Sequence, residues 1–154
     1  MQNIIVPVDF SDQTDAVLQL AGQLGLAFGA HVWLLHIAAP EPEFIGYRPG
    51  PDSVRDQVAK GLRAEHQQVQ LLAKQLGSRG VEVTALAVQG PTVEKILAQM
   101  EKLDADLVIM GSHGHGAIYR TLLGSVSEGV LHDAACPVLI VPVKDRGISD
   151  VRPG

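Results

Sequence analysis

The 154-residue sequence predicts a single three-layer α/β domain, doubly wound about a five-stranded parallel sheet with helices on both faces. Two observations carry that expectation. Short aliphatic runs alternate with helix-length stretches, giving five strands and four helices long enough to cross over between parallel strands. Apolar residues make up 46% of the chain but aromatic residues only 4%, and an Ala, Val, Leu and Ile bias suits strands buried on both faces. A chain of this length has room for one sizeable core.

The elements follow in order. Residues 2–8 (QNIIVPV) read as the first strand. Over residues 12–28, Ala16, Val17, Leu20, Leu24 and Phe28 fall near helical spacing, with Ser11 or Asp12 as the expected N-cap. Residues 31–37 (HVWLLHI) form the second strand. Residues 39–52 carry Pro40, Pro42, Pro49 and Pro51 with Gly46 and Gly50, which makes a loop. A longer helix spans residues 53–76, with Val54, Val58, Leu62, Val69, Leu72 and Leu76 on one stripe and Gly77 as its stop.

The third strand, residues 81–88, begins with the alternation Val81, Val83, Ala85, which predicts a half-exposed strand at a sheet edge. Pro91 stands where a first helical residue tolerates it, and Val93, Ile96, Leu97 and Met100 continue that helix. Residues 106–110 (DLVIM) make the fourth strand, 125–134 the last helix and 138–143 (VLIVPV) the fifth strand. No internal repeat or linker divides the chain, so residues 1–144 are expected to form the domain and 145–154 a polar tail.

Charge narrows the partners. The net charge is −5 and no basic run occurs, which argues against nucleic acid or an anionic membrane surface as the main partner. No stretch approaches the ~20 apolar residues of a membrane helix. The start lacks the pattern of a signal peptide, and the single cysteine, Cys136, fits a reducing compartment. The expected location is the cytoplasm.

Two loops gather the candidate chemistry, each at the carboxyl end of a strand. One is Pro7-Val8-Asp9. The other runs from Met110-Gly111 through His113 and Gly114 to Gly124-Ser125-Val126-Ser127. Ligands of open parallel sheets collect outside the carboxyl ends, where the winding direction reverses. Glycines at 111 and 114 would let the backbone approach a phosphate in dihedrals closed to other residues. Ser125-Val-Ser-Glu128 has capping-box spacing, and the helix start offers unpaired N–H groups and a positive pole to an anion. A charge-assisted hydrogen bond contributes ~1.5–3 kcal/mol. Repulsion from an acidic surface is ~1 kcal/mol per unit pair at contact in water, so local donors win. There is no Walker-type Gly-Lys-Ser/Thr and no dinucleotide fingerprint after the first strand.

The pattern G-S-H-G, nine residues, G-S-V-S resembles the nucleotide-binding motif of the universal stress proteins, G-x2-G-x9-G-[S/T]. The likeness extends along most of the chain, through I-I-V-P-V-D, L-L-H-I, Gly90-Pro91 (a variant of G-x-P) and C-P-V-L-I-V-P-V. The resemblance implies strand order 3-2-1-4-5 and ATP as ligand, with or without Mg²⁺. It places Pro7, Val8 and Asp9 on the adenosine side, with the Asp9 carboxylate near the base, ribose or a metal. Ile37 would meet the adenine edge through its backbone, Met110, Gly111 and Gly114 the ribose and phosphates, and Gly124, Ser125 and Val126 the phosphate tail. Ser127 reads as a cap or phosphate donor, Arg120 as a cation for the tail, and His113 as shaping the loop or offsetting phosphate charge.

Other residues read more simply. His113 and His115 lack a clear third zinc ligand in sequence. His36 reads as a satisfied core or pocket-edge histidine, and Cys136 as a small buried residue. In the implied strand order the fifth strand is an edge, apolar on both faces and without a blunting charge, a liability usually covered. A symmetric homodimer pairing or packing Val138–Val143 is therefore expected. A charged residue at position 141 should then lower the solution mass, and an unchanged mass would defeat the dimer. The functional expectation is an ATP-binding, stress-response regulator with weak hydrolysis at most, since a P-loop lysine is missing. The alternatives are an interaction module indifferent to nucleotide, and a slow ATPase or nucleotidyl transferase.

Overall fold

The computed structural model describes residues 1–40, 52–113 and 123–142, with side chains of 52 and 53 excepted. The order is β1 (Asn3–Pro7), α1 (Thr14–Phe28), β2 (His31–Ala38), α2 (Asp52–Gly77), β3 (Val83–Gln89), α3 (Thr92–Lys102), β4 (Leu107–Gly111), α4 (Ser125–Asp133) and β5 (Val138–Val141). All strand pairs are parallel, in the order β3-β2-β1-β4-β5. The fold class and strand order are thus as expected. Segments 41–51, 114–122 and 143–154, which include most of the proline-rich loop, the end of the fifth strand and the tail, lie outside the described residues.

Alternation along the strands makes two cores. Ile4, Val6, Val32, Leu34 and Ile109 face α1 and α2, where Val17, Val69 and Leu76 cover them. Ile5, Leu35, Val108 and Met110 face the other way, onto Ile96, Met100 and Val130 of α3 and α4. Period-two side-chain alternation puts successive residues of one strand into opposite layers. Both edge strands, β3 and β5, hold no fully buried residue, as their positions require.

Helix α1 differs from its sequence reading. Its buried stripe is Thr14, Val17, Leu18, Ala21, Gly22 and Gly25, whereas Ala16 is exposed and Phe28 is 55% exposed. Small residues decide the difference, because they let the helix lie close to its neighbours. A β-carbon on Gly25 would sit 3.0 Å from Val32 Cγ2 and 3.1 Å from Val81 Cγ1. The N-cap is Gln13, in helical conformation with no side-chain cap bond, not Ser11 or Asp12. Gly29, at φ 60°, ends the helix in the left-handed conformation that suits glycine. Helix α2 runs through Gly77, and the left-handed turn comes at Gly80 instead. Pro91 is the N-cap of α3, one position outside the helix.

The amino ends of the strands are tied by two polar arrangements. Asp106 accepts the backbone N–H groups of Gln2 (2.6 Å) and Asn3 (2.9 Å), which hold its carboxyl below the usual value of 3.8. A depressed folded-state pKa contributes stability that is present above the unfolded value and lost as pH falls through the folded one. Asp106→Asn should therefore flatten the acid limb of a melting-temperature profile below about pH 4, with little change in shape at neutral pH. An unaltered acid limb would contradict this. Nearby, Trp33 Nε1 donates to Asn3 Oδ1 (3.1 Å), and the His31 ring lies 4.2 Å from the Trp33 ring, with Thr84 Oγ1 2.8 Å from His31 Nε2.

Candidate functional site

The winding direction reverses between β1 and β4. There the β1–β4 ladder runs through two pairs, Ile4 with Leu107 and Ile5 with Val108, whereas β1 pairs with β2 through five, Asn3 to Pro7. Pro7, with no N–H, ends β1. Beyond these ends opens a cleft of about 350 Å³, within the range of small-molecule sites.

Pro7, Val8, Asp9, Ile37, Met110, Gly111, His113, Gly124, Ser125, Val126 and Ser127 all line this cleft, so the structure brings these sequence-predicted residues together. Gly114 and Arg120 lie outside the described residues. Sequence reasoning missed the remaining walls: Ser11 and Gln13 just before α1, Thr14 and Val17 at its start, Leu35 of β2, and Thr92 and Ile96 of α3. The first turns of α1 and α3 precede or cover the same strand ends as α4, and that shared placement is the signal that could have found them.

Three helix N-termini thereby meet at one cavity. Their N-caps are Gln13, Pro91 and Gly124, and none makes a side-chain cap bond. Each uncapped terminus favours an anion by ~0.3–1 kcal/mol, before any direct hydrogen bond. The acidic residues of the three first turns, Asp15, Glu94 and Glu128, are exposed and do not line the cleft. Asp9 is the one carboxylate on the cleft wall among the described residues.

The glycine loop is built differently from its sequence reading. Gly111 continues β4 without a positive φ, so it does not need glycine's special dihedrals. Its hydrogen matters because a β-carbon there would collide with Gln13 Oε1. That carboxamide reaches from α1 to the loop, where Oε1 accepts the His113 N–H at 3.4 Å. From the other side, Ser127 Oγ donates to the Gly111 carbonyl at 2.7 Å. Ser127 is therefore a strap on the loop, and the capping box is not formed. Gly124, not Ser125, is the N-cap, and its N–H donates to the Ser112 carbonyl at 2.6 Å.

The opposite rim rests on His36. Its Nδ1 lies 2.9 Å from the Val8 carbonyl and must carry a proton, since that oxygen can only accept. Nε2 lies 2.9 Å from Glu65 Oε2 on α2. The ring also meets Phe10 at 4.5 Å between centroids. Phe10 holds a left-handed φ of 60°, and Asp9 Oδ1 accepts the Ser11 N–H at 3.0 Å, fixing the turn that carries Asp9. His36 is thus a satisfied, buried histidine behind the cleft wall, as the core-or-pocket-edge reading expected. Cys136 is half-buried rather than buried, and desolvation pushes its thiol pKa up, with a smaller push from Asp106. No group of three or more metal-ligating side chains occurs among the described residues.

Known proteins resemble this chain along nearly its whole length. The model of the universal stress protein family matches residues 1–142. The universal stress protein MJ0531 of Methanocaldococcus jannaschii is 31% identical over 141 residues, covering 91% of this chain and 81% of that protein. The solved structure of MJ0577 from the same organism superposes with a TM-score of 0.78 at 28% identity, covering 94% of this chain and 97% of that one. The crystal structure of a universal stress protein in complex with cAMP superposes with a TM-score of 0.67 at 25% identity, covering 91% and 96% of the two chains. The chain belongs to the universal stress protein family.

Proposed function

We propose that the cleft binds an adenine nucleotide, ATP in the first instance, and that occupancy makes the protein a nucleotide-dependent regulator of a stress response. The observation that carries the reading is the convergence of three helix N-termini without side-chain caps on one cleft rimmed by the glycine loop. Apolar walls from Val8, Leu35, Ile37 and Met110 give a base a surface to lie on, and the loop side gives phosphates backbone donors. The relative solved with cAMP supports the same ligand class. Asp9, exposed and held in its turn, suits a ribose hydroxyl or a magnesium ion arriving with the phosphates.

The test is direct. Denaturing the purified protein and identifying what leaves it should yield an adenine nucleotide, and calorimetry on the emptied protein should give saturable binding of ATP, ADP or AMP. Absence of any bound nucleotide together with no heat at millimolar ligand would sink the reading. A second copy pairing along β5 belongs to the same proposal. Its support is the uncharged, half-buried edge formed by Val138, Leu139, Ile140 and Val141.

A further inference from the structure

We infer that Thr14 is a ligand-binding residue of this cleft, its hydroxyl donating to a phosphate oxygen of the bound nucleotide; the inference rests on the nucleotide reading above. Thr14 is the first residue of α1 and only 8% exposed, and it lines the cleft. Its backbone N–H is used, donating to the Ser11 carbonyl at 3.1 Å. Its Oγ1 is buried and has no hydrogen-bond partner among the described residues. Folded proteins leave few buried hydroxyls unpaired, and each asks for a missing partner.

The surroundings say what that partner is. A threonine in a first helical turn ordinarily returns its hydroxyl to nearby backbone, and this one does not. It stands at a positive helix pole that no side chain caps, which favours an anionic acceptor over a neutral one. Its neighbour Gln13 touches Gly111 and His113, so the first turn of α1 abuts the loop assigned to phosphate. The hydroxyl, enclosed in the wall of the ligand-free cleft, is therefore an unspent donor that a rotation about χ1 would bring to a phosphate oxygen.

Thr14→Val keeps the shape and removes the hydroxyl, while Thr14→Ser keeps the hydroxyl. Calorimetry on the full chain with ATP, AMP and adenosine should show Thr14→Val weakened about tenfold for both phosphorylated ligands, the worth of one hydrogen bond. Adenosine affinity should be unchanged, and Thr14→Ser should stay within about threefold of wild type. Without ligand, Thr14→Val should melt at or above the wild-type temperature, because a methyl replaces an unsatisfied group. If the valine protein does not fold, Thr14→Ala carries the same affinity comparison. Wild-type ATP affinity in the valine protein overturns the inference while leaving the nucleotide reading intact, and so does an equal loss for adenosine, which moves the contact to the sugar. A wild-type protein that binds none of the three overturns both.

Discussion

Gly111→Ala is expected to weaken adenine-nucleotide binding about tenfold, roughly 1.4 kcal/mol, with little change in circular dichroism. The new methyl lands where the Gln13 carboxamide lies, and that side chain is the end of a flexible arm, so it moves aside at modest cost to stability. What is lost is its grip on the His113 N–H, and with it the placement of the loop that faces the ligand. The partner experiment is Gln13→Ala. If the two residues act through one contact, the double variant binds no worse than Gln13→Ala alone, since the Gln13 Cβ would lie an ordinary 3.5 Å from the added methyl. Additive losses would show that Gly111 serves the ligand by some other route.

The second large effect concerns stability. Gly25→Val should cost about 3 kcal/mol and lower the melting temperature by roughly 6–12 °C. An added β-carbon at 3.0–3.1 Å meets methyls of Val32 and Val81, both buried and both stiff at χ1, so the helix must lift off the sheet. Gly61→Ala is the control. Gly61 is exposed in α2 with nothing within 4 Å of its would-be β-carbon, so only helix propensity acts there. That change should raise stability by ~0.5–1 kcal/mol. Calorimetric melting of the two variants separates packing from propensity, and a Gly25→Val protein melting like wild type would refute the close-approach account.

The strands were legible because runs such as Ile4-Ile5-Val6 and Val108-Ile109-Met110 are apolar without interruption, which is the mark of strands covered on both faces. Parallel topology then gathers their carboxyl ends, so the loops after β1 and β4 had to flank one crevice once the order was right. Helix ends were less legible. Ser11, Asp12 and Ser125 all have capping chemistry, but whether a hydroxyl or carboxylate caps depends on backbone angles set by tertiary bonds, such as that from Gly124 N–H to the Ser112 carbonyl. The burial of α1 misled for a related reason. Glycines carry no hydropathy signal, so Gly22 and Gly25 were invisible as packing residues while Phe28 was not. The role of Gln13 was beyond reach of any local pattern, because its contact with the loop joins residues 100 positions apart.

Trp33 is the sole tryptophan of the chain, and its indole is held by Asn3 and by the His31 ring away from the cleft, whose walls it does not join. Intrinsic fluorescence from this protein is accordingly a thermometer for the sheet's far end. It will follow unfolding cleanly and stay silent on entry of the proposed nucleotide, so melting and occupancy can be recorded in the same cuvette through separate channels, the second supplied by a fluorescent adenine analogue.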